Sequence, residues 1–214
     1  MFELNETFVI SSAAQLREVI AQPPDFLQLK VFAELFDEAR EFIQSTPLVF
    51  LCTQDAQGRM DVSPKGDAAG FVDIADDKTL LIPDRPGNRL AYGFNNLLES
   101  EQVSLIFLRP GTRETLRVNG TAVISRDPEL CARLSAAGKP ALLVTVVRIE
   151  ECFFHCGKAL IRSKLWQPDA WPAAAKVSFG KQMAARMATD PASLEQTTKQ
   201  IDAAVEQDYD DNLY

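Results

Sequence analysis

Two short segments of the chain carry residues that could bind a phosphate group. The first contains Ser63 and Lys65, and the second contains Gly87, Asn88 and Arg89. A bound phosphate needs positive charge and a cluster of N–H donors, and a helix N-terminus supplies such donors with a favourable dipole. Arg89 can contact phosphate oxygens with its planar guanidinium, and Lys65 adds a compact charge. The two segments therefore predict a phosphate pocket, with Asn88 and Arg89 in the first turn of a helix.

Surface ion pairs are an alternative explanation for the basic residues in this region. Between residues 55 and 89 there are seven acids and five bases, so the region is not basic overall. Arg85 and Arg89 would then form solvated ion pairs with nearby aspartates such as Asp84. Charge alone leaves both alternatives open.

The elements that would position these residues are short strands and a few helices. We predict strands at 48–53, 59–65, 71–74, 79–82, 103–108, 115–124 and 141–154. The predicted helices are 32–43, 88–100, 128–136, 156–165, 173–188 and 192–207, with a weaker one at 13–21. Six or seven strands joined mainly by turns favour a mainly antiparallel barrel, because parallel crossovers usually need about a dozen residues or more.

The chain is expected to have one barrel with a helical extension on each side. The predicted parts are an N-terminal helical extension at 1–46, the barrel at 47–154 and a C-terminal helical extension at 155–214. The formal net charge is -8, which argues against nucleic-acid binding through a basic surface. Residues 193–214 contain six acids and one lysine, so we expect an acidic, solvated tail.

Composition also bears on compartment and metal binding. No apolar run approaches the roughly 20 residues of a membrane span, and no secretory signal is visible, so we expect no membrane contact and a cytoplasmic location. The four cysteines do not require disulfides in a chain of 214 residues. A zinc site at Cys152, His155 and Cys156 lacks standard spacing and a fourth ligand, so we predict no metal.

Several segments taken together resemble the pyridoxamine 5'-phosphate oxidase-like proteins, a family of FMN-binding split barrels that work as homodimers. The similar segments are Val-Ser-Pro-Lys at 62–65, Ile-Pro at 82–83, Asn-Arg at 88–89 and Leu-Arg-Val-Asn-Gly at 116–120. Residues 154–166 are similar to an oxidase-related subgroup of flavoproteins. The resemblance covers residues 47–154. It implies an α+β fold, with a mainly antiparallel six- or seven-stranded split β-barrel, helices at both ends, and a homodimer with FMN at the subunit interface.

The resemblance also implies roles for individual residues. Lys65 would contact the FMN phosphate or ribityl chain, and Asn88 and Arg89 would take the places of two phosphate-binding basic residues. Arg59 does not fit, because the family's arginine lies five residues before the lysine, and a shift of one along a strand reverses the side chain. The implied cofactor-binding residues are Val62, Ser63, Pro64, Lys65, Ile82, Pro83, Asn88, Arg89, Arg162 and Trp166.

The segment after residue 154 can be interpreted separately from the resemblance. In a continuous helix His155, Arg162 and Trp166 would share one face, where a cation and an indole could flank a flavin edge, including that of a partner subunit. Alternatively, Trp166 is a buried anchor and Arg162 pairs with a nearby acid.

The expected function is that of an FMN-dependent oxidoreductase acting on a small-molecule substrate or electron donor, with no catalytic side chain assigned. True pyridoxamine phosphate oxidases carry an arginine–x–histidine element near the C-terminus, whereas this chain has no histidine after His155. Pyridoxamine phosphate oxidation is therefore disfavoured. The alternatives are a non-catalytic flavin-binding carrier, sensor or scaffold, and a haem protein with His155 as the ligand.

Overall fold

A computed structural model describes residues 1–188 and 190–214 of the chain. The chain divides into two compact units, residues 1–31 and residues 32–214. The first unit contains the short helix α1 (Ala13–Val19), which coincides with the weaker predicted helix, and two 3-10 turns at Glu6–Phe8 and Asp25–Lys30. The Ser12 side chain accepts a hydrogen bond from the main chain and caps α1.

The second unit is built on one antiparallel sheet of seven strands. The strands are β1 (Leu48–Gln54), β2 (Met60–Gly66), β3 (Asp73–Asp76), β4 (Thr79–Pro83), β5 (Gln102–Leu108), β6 (Thr115–Ser125) and β7 (Val144–His155). Their order is β2-β1-β5-β6-β7-β4-β3, and every neighbouring pair is antiparallel. β2 and β3 are the two edges of this sheet, so the barrel is split. The α+β fold predicted from the sequence is confirmed.

Alternation of apolar side chains places the main core on one face of the sheet. Burial alternates residue by residue in β1 and β6, as expected for strands with one face covered. Leu116, Val118 and Ala122 are buried together, as the alternation in the sequence predicted, and Phe107 of β5 lies fully inside the same core. Full burial of a leucine, valine or phenylalanine side chain contributes about 1.5–3 kcal/mol.

Helix α2 (Asp37–Gln44) closes one side of this core. It buries Ala39, Phe42 and Ile43, which recur at helical spacing. It begins later than the predicted residue 32, because Phe32 pairs with Cys152 of β7 in a short β-bridge. The remaining helices are α3 (Tyr92–Ser100), α4 (Pro128–Arg133), α5 (Lys158–Ser163), α6 (Phe179–Met187) and α7 (Pro191–Asp211).

One glycine permits a close approach inside the sheet. The register between β6 and β7 shifts at Asn119 and Gly120. A Cβ atom on Gly120 would stand 1.9 Å from the carbonyl oxygen of Arg148. The strands can therefore pass at this point only with glycine. Within the described ranges, no helix has both the length and the apolar character needed to cross a membrane.

Candidate functional site

A cavity of about 750 Å³ lies between strand β2, the loop after β4 and the start of α3. Its volume falls in the range of small-molecule and cofactor sites, about 300–1,000 Å³. Seven of the ten residues predicted to bind the cofactor line it, namely Val62, Ser63, Pro64, Lys65, Pro83, Asn88 and Arg89. The structure thus brings together two segments that are separated by a turn, a strand pair and a loop. Their contact with a cofactor stays a prediction.

Lys65 is held at the cavity by an ion pair. Its Nζ lies 2.6 Å from Asp84 Oδ1, and only 23% of the Lys65 side chain and 17% of the Asp84 side chain are exposed. The ammonium also stands 5.1 Å from the centroid of the Phe94 ring, within the range of a cation–π contact. One cation of the predicted phosphate site is therefore already neutralised by a neighbouring carboxylate. Ser63 is also engaged, since its hydroxyl donates to Asp61 at 2.8 Å.

Arg89 lies in a loop, so the prediction that Asn88 and Arg89 occupy the first turn of a helix was wrong. The helix α3 begins at Tyr92, because Arg89 and Ala91 adopt left-handed backbone conformations with φ of 61° and 55°. Asn88 closes the loop by accepting a hydrogen bond from the Leu90 N–H at 3.0 Å. Non-glycine residues with a left-handed backbone conformation are uncommon and are concentrated at ligand sites.

The loop leaves its donors available at the cavity. Arg89 is exposed, and within the described part of the chain no ion pair holds its guanidinium. No side chain caps the N-terminus of α3, where Tyr92, Gly93 and Phe94 line the cavity. The helix N-terminus that the sequence predicted is thus present at the site, about one turn further along the chain.

Arg85 is a cavity residue that the sequence reasoning treated as a surface cation. Its Nε donates to Asp67 Oδ2 at 2.8 Å, and only 16% of its side chain is exposed. Its Nη1 is buried and has no hydrogen-bond acceptor among the described residues. A buried donor without an acceptor is destabilising. In the sequence, the feature that could have placed Arg85 at the cavity is its position two residues after Pro83, the last residue of β4.

Asp67 is the anionic partner of this arginine. Burial by itself would raise the pKa of the Asp67 carboxyl, but hydrogen bonds from the Ala68 N–H, Arg85 and Tyr214 together outweigh burial, so the pKa lies below its usual value. The carboxylate is therefore charged at neutral pH, and it binds Arg85 on one oxygen and Ala68 and Tyr214 on the other.

The remaining cavity wall is largely apolar. Leu51, Phe71, Phe94 and Leu97 line it, together with the aromatic side chain of Tyr92. A flat aromatic ligand can pack on such a wall while a charged group on the same ligand reaches the basic rim. The cavity therefore suits a ligand with one flat ring system and one anionic group.

Three predicted cofactor residues do not line this cavity. Ile82 is 1% exposed and belongs to the main core, because β4 is covered on both faces. Arg162 is exposed on α5, and the Nε1 of Trp166 donates to the carbonyl oxygen of Thr112 at 2.8 Å. Trp166 is thus tied to the turn between β5 and β6. Contact of these residues with FMN stays a prediction.

The single helix face predicted after residue 154 was wrong. His155 is the last residue of β7, and Lys164 has a left-handed φ of 53° that ends α5 before Trp166. Arg59, which the resemblance left out of the site, pairs with Asp55 in the turn between β1 and β2. Burial raises the pKa of the Cys152 thiol to about 12. Across residues 1–188 and 190–214, no group of three or more potential ligands could hold a metal ion.

Comparison with known proteins identifies the family. The family model described as pyridoxamine 5'-phosphate oxidase matches residues 35–156, which is 122 of the 214 residues. The chain belongs to the pyridoxamine 5'-phosphate oxidase family. This confirms the resemblance drawn from the motifs. No curated protein matches the chain significantly.

Solved structures with a similar chain path include relatives from three bacteria. HupZ of Group A Streptococcus is 18% identical, with 56% of this chain and 93% of that chain covered and a TM-score of 0.47. A proposed pyridoxamine 5'-phosphate oxidase of Lactobacillus delbrueckii is 26% identical, with coverages of 57% and 95% and a TM-score of 0.46. HutZ, the heme storage protein of Vibrio cholerae, is 17% identical, with coverages of 56% and 92% and a TM-score of 0.41.

The family match leaves part of the cavity unexplained. Residues 62–97 of the cavity wall lie inside the matched region. Leu213 and Tyr214 also line the cavity, although they lie 57 and 58 residues beyond the end of the match. The segment outside the family model therefore contributes to the site.

Proposed function

We propose that this member of the pyridoxamine 5'-phosphate oxidase family binds FMN and acts as an FMN-dependent oxidoreductase. The observation that carries the proposal is the combination of a basic rim and an apolar wall in one cavity. The rim holds Lys65 and Arg85, which are paired with Asp84 and Asp67, and Arg89, for which no ion pair is seen among the described residues. FMN has one phosphate and one flat ring system, which is the shape and polarity that this cavity suits.

The donors of the rim fit a phosphate better than they fit a neutral ligand. Arg85 lines the same rim, where its guanidinium is paired with Asp67. Arg89 is exposed beside the uncapped N-terminus of α3. A phosphate dianion offers several acceptor oxygens, and hydrogen bonds to it from charged donors are about twice as strong as neutral ones.

Each part of the site has a defined task in this proposal. Lys65 and Arg89 bind the phosphate, while Val62, Ser63, Pro64 and Pro83 lie along the ring system and fix its orientation. When bound, FMN supplies hydride or electron transfer. The protein excludes water from one face of the ring through its apolar wall. His155 does not line the cavity, so the chain that forms the cavity supplies no imidazole there as an acid or base.

We further propose that the protein is a homodimer with FMN at the subunit interface. Val62 and Met60 on the edge strand β2 are 58% and 62% exposed, which leaves apolar surface beside the cavity. In such a dimer, Arg162 and Trp166 of the second copy would cover the outer edge of the flavin. Sedimentation of a flavin-bound monomer would overturn the dimer.

A comparison of FMN with riboflavin tests the cofactor and the phosphate site together. The two ligands share the ring system, but riboflavin lacks the phosphate. Because each hydrogen bond to a charged group contributes about 1.5–3 kcal/mol, FMN should bind the purified protein at least about tenfold more tightly than riboflavin. The measurement is quenching of flavin fluorescence during titration of the flavin-free protein. Equal affinity for the two flavins would refute the phosphate site, and no binding of either would refute the proposed function.

A non-catalytic flavin-binding protein is the second candidate. It is favoured by Tyr214, which lines the cavity and so leaves less room in it for a substrate beside the flavin. Mixing the FMN-bound protein with NADH or NADPH distinguishes the candidates, since an oxidoreductase that uses either nucleotide bleaches rapidly. The geometry gives no support to haem binding, because His155 is exposed at the end of β7 and outside the cavity.

A further inference from the structure

Two walls of the cavity belong to strands that are not paired with each other in the sheet. In the described sheet, β2 pairs with β1, whereas β4 pairs with β3 and β7. Among the described residues, no ladder of main-chain hydrogen bonds therefore joins β2 to the loop after β4. Side chains have to make the direct polar links between these two walls.

Two ion pairs of opposite polarity make these links. The Lys65 Nζ of β2 lies 2.6 Å from Asp84, and the carboxylate of Asp67, which directly follows β2, lies 2.8 Å from the Nε of Arg85. The four side chains are all mostly buried. The alternative pairing would place Lys65 beside Arg85 and Asp67 beside Asp84, and both of these are like-charge pairs. The order of charges therefore determines which residues of the two walls face each other.

The loop 85–91 of the cavity wall is held at both of its ends. At Asp84, the main-chain N–H donates to the carbonyl oxygen of Leu143, and the carbonyl oxygen accepts from the N–H of Leu142. At the other end, helix α3 begins at Tyr92. Any further restraint on this loop has to come from contacts between these two ends.

The ion pair of Arg85 with Asp67 supplies that restraint. In the part of the chain that the structure describes, it is the polar contact that joins the loop to another element. The hydrogen bond from the Leu90 N–H to Asn88 stays inside the loop. The position of Arg89 relative to β2 therefore depends on the link between Arg85 and Asp67.

Asp67 itself lies outside the lining of this cavity, whereas Lys65, Asp84 and Arg85 line it. A ligand in the cavity can therefore replace Asp84 as the partner of Lys65, but it meets Asp67 only through Arg85. The Asp67 carboxylate is held firmly, because its other oxygen accepts a hydrogen bond from the Ala68 N–H at 2.7 Å. Asp67 is thus a fixed anchor for the loop.

We propose that Asp67 is a positioning residue of the proposed FMN site, and that it acts through Arg85 to fix the loop that presents Asn88 and Arg89 to the phosphate. This inference rests on the proposed function, because the phosphate is the group that Arg89 binds there. A loop that is ordered before the ligand arrives loses less conformational entropy on binding, so the affinity is higher. The negative charge of Asp67 acts in the opposite direction, since by itself it repels a phosphate. The sign of the change on removing this charge therefore separates positioning from electrostatics.

Hydrogen–deuterium exchange of the flavin-free protein tests the anchoring without any cofactor. Asp67→Asn removes the charge at nearly constant size, and Asp67→Ala also removes the acceptor. In both variants the amides of the loop 85–91 should exchange at least about threefold faster than in wild type, because local opening becomes easier. Peptides from α2 should keep their exchange rates, and the melting temperature of each variant reports whether the barrel is folded.

Asp55→Asn is the matched control for this experiment. Asp55 is also buried, paired with an arginine Nε and hydrogen-bonded to main-chain N–H groups. It lies in the turn between β1 and β2 and outside the cavity lining. Its substitution makes the same change in charge and should leave exchange in the loop 85–91 unchanged.

Titration with FMN and riboflavin is the second arm. Asp67→Asn should weaken FMN binding by about tenfold, the scale of ordering about one residue of the loop, and should leave riboflavin binding unchanged. A double-mutant cycle tests the route through Arg85. If Asp67 acts through this arginine, Asp67→Asn should cause no further loss of FMN affinity in an Arg85→Gln background.

Tighter or unchanged binding of FMN by Asp67→Asn would overturn the positioning role. An equal loss of affinity for riboflavin would also overturn it, and so would unchanged exchange of the loop or a full second loss in the Arg85→Gln background. If exchange of the loop rises but wild type binds no FMN, the proposed function fails while the anchoring of the loop by Asp67 stands.

Discussion

Replacing Asp84 with asparagine should strengthen FMN binding. Asp84 Oδ1 lies 2.6 Å from Lys65 Nζ, and both side chains are mostly buried, so the carboxylate neutralises one of the two cations proposed to bind the phosphate. Asparagine keeps the size of the side chain but removes its charge. The main chain of residue 84 stays tied to the residue before β7 in either case, since its N–H donates to the carbonyl oxygen of Leu143 at 2.9 Å.

The size of the effect follows from the ion pair. A phosphate oxygen that shares the Lys65 ammonium with Asp84 lies at most about 5.5 Å from the carboxylate, since each such hydrogen bond is about 2.8 Å long. Two unit charges at about 5.5 Å repel by about 3 kcal/mol at an effective dielectric constant of about 20 and by about 0.8 kcal/mol in water. The cavity is open on one side, so we expect about 1.5 kcal/mol, which is about a tenfold lower Kd.

Fluorescence titration of flavin-free Asp84→Asn with FMN measures this change directly. Titration with riboflavin is the internal control, because a ligand without phosphate has no charge for Asp84 to repel, and its affinity should be unchanged. Glu38→Gln, at an exposed position of α2, makes the same change in net charge away from the cavity and should leave both affinities as they are. It therefore corrects for the overall field of the protein.

Weaker FMN binding by Asp84→Asn would refute this reasoning. Such a result would mean that the carboxylate holds Lys65 in position for the phosphate and that this positioning outweighs the repulsion. A parallel gain for riboflavin would also refute it, because the effect would then come from the shape of the cavity and not from its charge.

Three further predictions concern the site and the fold. Arg89→Ala should weaken FMN binding by about 1.5 kcal/mol, the lower end for a charged hydrogen bond because the side chain is exposed, with riboflavin binding unaffected in the same titration. Gly120→Ala should destabilise the protein by about 2–3 kcal/mol in urea unfolding, because the new Cβ meets the Arg148 carbonyl oxygen, whereas Gly87→Ala, with open space around it, should cost little. The lowered pKa of Asp67, where hydrogen bonds outweigh burial, contributes stability that is present above the unfolded pKa of about 4 and is lost as the pH falls through the folded pKa. Between about pH 5 and about pH 2, wild type should therefore lose more unfolding free energy than Asp67→Asn. Equal losses would contradict a lowered pKa for Asp67.

Local patterns in the sequence were sufficient for the sheet. The alternation of Leu116, Val118 and Ala122 predicted a strand with one buried face, because the side chains of a strand point to opposite faces in turn. Lys65 lies near the end of one strand, and Arg89 lies in the loop after another strand. Because strand ends and the loops that follow them meet at the edge of a sheet, this order predicted that both residues would line one cavity. Helix boundaries were less predictable: the left-handed conformations of Arg89 and Ala91 delay α3, and no local pattern in the sequence marks them.

The tertiary structure decided which charges remain available to a ligand and which distant residues meet at the cavity. The sequence predicts a free cation at Lys65, but in the structure this residue is paired with Asp84. The sequence suggests a surface position for Arg85, but its guanidinium is packed against Asp67. Tyr214 lies 147 residues from Asp67 in the sequence and yet binds it. Contacts of this kind depend on how the strands and helices pack together, and neither composition nor spacing contains that information. The sequence by itself determined the barrel and the segments that are predicted to bind phosphate, whereas only the folded chain determined the ion pairs and the Tyr214 contact that surround them.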